Sequence, residues 1–208
     1  MTLRESRIPQ SARPLDHVAA KERSRPAPDA EGSSGRPDAQ VIFETHDRSM
    51  TLATLGCLLI TVHRRNYSAE EIALLHRHQL SVVRERGVQM VLLTILDVTE
   101  RHIVRFDKAA REATVQLAYE LAPHVCCSAV VFDRGGFAAS AIRSLVTMIH
   151  LVSKSPFSTH IHGDLGTALA WVESKLDKQR LAEFDRATAH ASVRTLLGAA
   201  APAASCLV

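Results

Sequence analysis

The feature that most constrains the fold is an almost unbroken apolar run at positions 88–96, Val-Gln-Met-Val-Leu-Leu-Thr-Ile-Leu. Gly87 and Asp97 bound it on either side. Its shortness and its β-branched content favour a strand over a buried helix. Continuous hydrophobicity, without alternation, is typical of a strand covered on both faces or nearly so. The run therefore predicts a central strand in a sheet flanked by other elements.

Other segments have the composition of strands. Residues 41–45 and 55–62 are predicted as two strands, which residues 47–49 join in a hairpin. Residues 125–132 predict a further strand, and residues 157–161 a short one near an edge of the sheet.

Helical patterns separate these strands. Ser68 and Glu71 form a capping box that opens a helix, and Gly87 is a natural stop for it. A second helix is predicted to run from a cap at Asp107 through residue 121, and a third to follow the glycines before residue 137. Asp164 is predicted to cap a fourth helix, whose pattern continues through residues 181–197.

The order of elements is β-β-α-β-α-β-α-β-α, which predicts an α/β fold with one mainly parallel sheet and an N-terminal β-hairpin. Residues 1–39 contain most of the prolines and no apolar periodicity, so they are predicted to be a disordered arm. The domain is expected to span residues 40–182. A helical extension and a frayed, alanine-rich tail are expected over residues 183–208.

Charge and hydropathy disfavour two classes of partner. The formal net charge is +3, and the basic residues are spread along the chain, which disfavours nucleic-acid binding. No apolar run approaches the ~20 residues that a membrane span requires, and the N-terminus lacks a signal-peptide pattern. These features predict a cytoplasmic protein without a membrane span.

The cysteines predict neither a metal centre nor a disulfide framework. Cys57, Cys126, Cys127 and Cys206 show no CxxC spacing. Cys126 and Cys127 are adjacent on a predicted strand, so their side chains are expected on opposite faces. We expect reduced thiols that serve as small apolar residues, and no cofactor.

Two histidines and a tryptophan near the end of the domain are also notable. His160 and His162 form a His-x-His pair on a predicted strand, which could supply half of a metal site. No third ligand stands at a telling spacing, and the pattern favours ordinary histidines of an edge strand. Trp171 is expected to pack its ring on the sheet.

Candidate binding residues follow two of the predicted strands. Asp97 and Asp133 lie where adjacent parallel strands end, at the edge where open α/β sheets bind ligands. Gly135 and Gly136 predict a tight strand-to-helix turn, although neither a phosphate-binding loop nor a nucleophile elbow accompanies them. Phe137 is predicted as an exposed anchor for a partner. No catalytic residue is predicted.

The order of elements and four local patterns carry a family resemblance. The patterns are residues 91–97, 107–111, 135–137 and the Ala-Leu-Ala-Trp-Val segment at 168–172. Over roughly residues 41–176 the chain resembles the STAS or SpoIIAA-like group, and most closely its uncharacterised STAS/SEC14-like bacterial members. That resemblance implies a signalling or regulatory module.

The chain departs from this group at its phosphorylation site. Antagonists of the group carry a phosphorylatable serine in an Asp-Ser-Ser-Gly-like turn after the central strand. Here residues 97–102 read Asp-Val-Thr-Glu-Arg-His, and Thr99 is the only hydroxyl. We therefore do not transfer the phosphorylation site to Thr99.

The sequence leaves three functions open. The preferred expectation is a non-catalytic regulatory or scaffolding module that binds another protein. The second is a carrier or sensor of a small apolar ligand, as the SEC14-like relation suggests. The third is an enzyme whose site residues are too dispersed to recognise. An apolar cavity would favour the second expectation, and an exposed apolar patch the first.

Overall fold

The computed structural model describes residues 38–65, 68–97, 108–132 and 157–198. Within them, six strands form one sheet in the sequential order β1 to β6. The strands are β1 (Gln40–Glu44), β2 (Met50–Leu55), β3 (Leu58–His63), β4 (Met90–Leu96), β5 (Val125–Val131) and β6 (Ser158–His162). The helices are α1 (Ala69–Arg86), α2 (Lys108–Leu121), α3 (Leu165–Lys175), α4 (Lys178–Glu183) and α5 (Arg186–Gly198).

The predicted α/β class with one mainly parallel sheet is confirmed: strands β3 to β6 pair in parallel, and β1 to β3 pair antiparallel. The prediction of two N-terminal strands is wrong, because there are three. Residues 55–62 do not form one strand, since the chain reverses at Gly56 between β2 and β3. Gly56 adopts a φ of 54°, a left-handed conformation that glycine tolerates without steric cost. Apolar residues on both sides of this turn conceal it in the sequence.

The prediction for the apolar run is confirmed in β4. Met90, Val91 and Leu93 are completely buried. Met90 packs with residues of α1 and α2 on one face of the sheet, whereas Val91 and Leu93 pack with residues of α3 and α5 on the other. Both hydrophobic clusters therefore meet at β4, which lies in the interior of a three-layer arrangement.

Helix α1 begins and ends as its sequence predicts. The Ser68 hydroxyl accepts a hydrogen bond from the Glu71 backbone, and the Glu71 carboxylate accepts one from the Ser68 backbone. Gly87 closes the helix in the left-handed conformation. The buried amide of Gln79 donates to the Thr61 hydroxyl at 3.1 Å, which joins α1 to β3.

The helical pattern after Asp164 is divided into three helices. Asp164 caps α3 as predicted and accepts from the Thr167 backbone at 2.8 Å. Asp177 then caps α4, and the Asp185 carboxylate accepts from the first backbone amides of α5. Each aspartate side chain accepts from backbone amides of the first turn that follows it, which starts a separate helix. Val193 of α5 is completely buried against the sheet.

The expectation that Cys126 and Cys127 point to opposite faces is wrong. The register of β5 against β4 shifts between Met90 and Val91, whose partners are Val125 and Cys127, so Cys126 is an extra residue in a β-bulge. Both cysteines consequently pack with the hydrophobic cluster on the α3 and α5 face.

Several predicted features lie outside the described residues: the N-terminal arm, the cap at Asp107, the helix after Gly136 and the alanine-rich tail. The segment around Thr99 also lies outside them. None of the helices that the structure describes has both the length and the apolar character required to cross a membrane.

The complete burial of Leu93 predicts a large cost of truncation. Leu93→Ala removes a side chain from the middle of the sheet and should lower the free energy of unfolding by ~2–5 kcal/mol, because it leaves a cavity. Chemical denaturation measures the loss. Val88→Ala, which truncates an exposed side chain just before the same strand, should change stability by no more than about 0.5 kcal/mol. Equal effects of the two substitutions would contradict the central position of β4.

Candidate functional site

The four parallel strands end at one edge of the sheet, and backbone hydrogen bonds align their ends. Asp97, the residue after β4, donates its backbone amide to the carbonyl of His63, the last residue of β3, at 2.7 Å. The Phe132 amide donates to the His162 carbonyl at 3.0 Å, which aligns β5 with β6. These residues lie at the carboxyl edge, where open α/β sheets bind ligands.

Arg64 holds helix α5 beside this edge. One guanidinium nitrogen donates to the Leu196 carbonyl near the end of α5 at 2.8 Å. The other terminal nitrogen donates to the Arg48 carbonyl at 2.8 Å and to the Thr51 hydroxyl at 3.0 Å. A single side chain thus joins the β1–β2 turn, strand β2 and helix α5.

A cleft of about 380 Å³ lies between the carboxyl edge and helices α3 and α5. Its lining is mainly aliphatic, with one acid and one base. The residues are Ile95, Leu96, Asp97, Val131, Leu165, Val193, Arg194 and Leu197. The cleft is large enough for a small molecule and offers it an apolar wall with two charged groups.

The two charged groups come from different layers of the fold. Asp97 follows β4 directly, so the sheet places it. Arg194 is exposed on α5, and no acidic side chain among the described residues forms an ion pair with it. The first turn of α3 also borders the cleft through Leu165. The Asp164 carboxylate caps that end of α3 and accepts from the Thr167 backbone.

His162 is a buried polar group next to the cleft. It pairs in register with Val131, one of the lining residues, and is only 8% exposed. Its Nε2 atom has no hydrogen-bond partner among the described residues. Burial lowers the pKa of His162, and the neighbouring His160 lowers it further, while Asp164 acts in the opposite direction. The imidazole is therefore held in its neutral form.

The His-x-His pair shares one face of β6, but its surroundings are aromatic. The ring centroids of His160 and His162 are 4.7 Å apart, and each lies within 5.6 Å of the Trp171 ring. Over the described residues, no group of three or more histidine, cysteine, aspartate or glutamate side chains could hold a metal ion. The pair contributes to a ring cluster between β6 and α3.

The structure places one of the five predicted binding residues, Asp97, in the cleft. Asp133, Gly135, Gly136 and Phe137 lie outside the described residues, and their predicted role stays a prediction.

Sequence reasoning did not identify Arg194 or Val193 as cleft residues. They lie about 100 positions from Asp97 along the chain, in a helix that was assigned to an extension. The helical pattern over residues 181–197 does not indicate which surface the helix covers.

Comparisons with known proteins do not supply an identity. No protein-family model, no curated protein and no solved structure matches the chain.

The lowered pKa of His162 predicts a dependence of stability on pH. Below its ordinary pKa of about 6.5, the unfolded state binds a proton that the native state rejects, so stability should fall as the pH falls from about 6.5 toward the native pKa. Each pKa unit of depression is worth about 1.4 kcal/mol once the pH lies below both values.

Denaturation at pH 7.5 and pH 5 measures this effect. His162→Asn should lose less stability between the two pH values than the wild type loses. His190→Asn, which changes an exposed histidine of α5, should retain the wild-type difference. An unchanged pH dependence in the His162 variant would show that this imidazole is not held neutral.

Proposed function

We propose that this domain is a non-catalytic module that binds a small, mainly apolar ligand carrying an anionic group. The observation that carries the proposal is the cleft of about 380 Å³ at the carboxyl edge, lined by six aliphatic residues and the two charges of Asp97 and Arg194. Its volume falls at the lower end of the ~300–1,000 Å³ range of small-molecule sites. A short-chain or compact ligand fits this size better than a large lipid.

The apolar part of the ligand would contact side chains from both walls. Ile95 and Val131 belong to the sheet, whereas Leu165, Val193 and Leu197 belong to α3 and α5. Removing this apolar surface from water on binding contributes roughly 25 cal/mol per Å². The cleft thus supplies a general hydrophobic affinity, and its two charged residues supply the selectivity.

The anionic group is assigned to Arg194. Its guanidinium carries a permanent charge and can bind a carboxylate through two parallel hydrogen bonds. Asp97 would then accept a hydrogen bond from a hydroxyl or amide of the ligand, and it would repel a second anionic group.

We further propose that ligand binding gives this domain a regulatory role. The succession of strands and helices supports a relation to STAS-like modules, and the Asp-Val-Thr-Glu-Arg-His sequence at 97–102 lacks their phosphorylatable serine. A module without that switch needs another input, and ligand occupancy of the cleft can provide one. Ligand binding would then change the protein surface around the carboxyl edge of the sheet.

Decanoate is a suitable probe, because it combines an alkyl chain with one carboxylate. Calorimetric titration should detect its binding to the wild-type protein, with weaker binding of decanol and of decylamine. Arg194→Gln should lower the affinity for decanoate by roughly 10–100-fold, since a hydrogen bond to a charged group is worth about 1.5–3 kcal/mol.

The matched control is Arg111→Gln, which removes an exposed arginine from α2 on the opposite face of the sheet. It should bind decanoate as the wild type does. Absence of decanoate binding to the wild type, or equal affinities of the Arg194 and Arg111 variants, would refute the ligand site as proposed.

The second candidate function is binding of a protein partner, and exposed apolar residues of β1 favour it. Val41 and Ile42 are 48% and 38% exposed on an edge strand. A shift of register between Val41 and Phe43 makes Ile42 the extra residue of a bulge. Bulges discourage indiscriminate pairing of edges, so a partner here would use side-chain contacts rather than an added strand.

A pull-down with the full-length protein tests this candidate. A protein partner should be retained by the wild type and lost from a variant that combines Val41→Lys with Ile42→Lys. Val88→Lys, which introduces the same charge at an exposed site away from β1, should retain the partner. Retention by the double variant would exclude β1 as the docking surface.

A further inference from the structure

Cys126 and Cys127 form a pair of neighbouring thiols at the amino edge of the sheet, opposite the proposed ligand cleft. The bulge in β5 turns both side chains toward α3 and α5, and their Sγ atoms are 3.9 Å apart. The Cys126 Sγ also lies 3.4 Å from the Met90 carbonyl oxygen, a second contact that orients it. Cys126 is partly exposed, whereas Cys127 is almost completely buried.

The geometry disfavours a direct disulfide between the two cysteines. Unstrained disulfides join residues whose Cα atoms are about 4.4–6.8 Å apart. Adjacent residues across a trans peptide bond have Cα atoms only about 3.8 Å apart. The chain contains no cis peptide among its described residues. The sulfur atoms are thus near each other but poorly placed to bond.

The same separation suits one atom that bridges both sulfurs. A central atom with bonds of about 2.3 Å to each sulfur and an angle of about 90–110° holds them roughly 3.3–3.8 Å apart. Small rotations of the side chains bring 3.9 Å into this range. The bulge therefore produces a two-sulfur chelate from consecutive residues, which a regular strand would point in opposite directions.

The site offers two sulfur ligands, and this number limits which atom the two cysteines can bind. A structural zinc ion requires four ligands, and no cluster of three or more suitable side chains occurs in the described ranges. A trivalent arsenic atom that carries one organic substituent requires only two further bonds. We propose that Cys126 and Cys127 form a binding site for monosubstituted trivalent arsenicals.

The surroundings of Cys126 make it the attacking thiol. The hydrogen bond between the two thiols lowers the pKa of Cys126 to about 7, and the charge of Arg180 acts in the same direction, against the effect of burial. Arg180 is held by its hydrogen bond to the Gln89 carbonyl at 2.9 Å and by its ion pair with Asp177. The thiolate is the reactive form of cysteine, so Cys126 reacts first.

The reaction balances without an oxidant. The Cys126 thiolate attacks the arsenic of a hydrated arsenical, RAs(OH)₂, and one hydroxide leaves and takes up a proton to form water. The Cys127 sulfur then forms the second As–S bond, and its proton leaves with the second hydroxide as water. Arsenic stays trivalent and no electrons are transferred. The product is neutral, which suits the buried position of Cys127.

Cys57 provides a matched control within the same molecule. It lies in the β2–β3 turn, and its interaction with Cys126 indicates that it is close to the pair. Burial raises the pKa of Cys57 to about 11, so its thiol stays protonated near neutral pH. It should therefore contribute little to the reaction despite its position.

Phenylarsine oxide tests the proposal on the full-length protein. Intact mass spectrometry at one equivalent should show one adduct per chain, which a dithiol such as dimercaptopropanol reverses and an equal concentration of a monothiol does not. Cys126→Ser and Cys127→Ala should each abolish the monothiol-resistant adduct. Cys57→Ser and Cys206→Ser should retain it, and circular dichroism verifies the fold of each variant.

Fragmentation of the wild-type adduct supplies a test that needs no variant. The arsenical should map to the peptide that contains residues 126 and 127. Its location on Cys57 or Cys206, or reversal by a monothiol at equal concentration, would overturn the proposal. An adduct that persists in the Cys126 variant would overturn it as well.

Discussion

The burial of β4 between two hydrophobic clusters is the constraint on which the other features depend. Val91 and Leu93 face α3 and α5, while Met90 faces α1 and α2, and all three side chains are fully buried. A strand buried on both faces requires a helical layer on each side. The carboxyl-edge cleft lies where the α3 and α5 layer covers the ends of the strands, and the cysteine pair arises where the register of β5 against β4 shifts.

The α3 and α5 layer is positioned by a few polar contacts beyond its apolar packing. Arg64 joins α5 to β2 and to the β1–β2 turn through three hydrogen bonds. At the other end, Arg180 joins α4 to the chain just before β4 through the Gln89 carbonyl. Charged donors make stronger hydrogen bonds than neutral ones. These two arginines thus hold α5 and α4 near opposite edges of the sheet.

The two candidate sites use different chemistry because the two edges of a parallel sheet are different. At the carboxyl edge the chain leaves the strands toward helix starts, and Asp97, Arg194 and the first turn of α3 surround an apolar cleft. At the amino edge the bulge at Cys126 brings together two thiols that regular pairing would separate.

The sequence by itself determined the local elements, since their signals lie within a few residues. The Ser68 capping box, the stop at Gly87, the cap at Asp164 and the apolar β4 run were all predictable. Only the tertiary structure decided which side chains meet. The turn at Gly56 was hidden by apolar neighbours, the bulge at Cys126 depends on register with β4, and Arg194 reaches the cleft because α5 packs on the sheet. Such contacts join positions far apart in the chain. A residue pattern indicates that a side chain is buried, but it does not indicate which residues that side chain packs against.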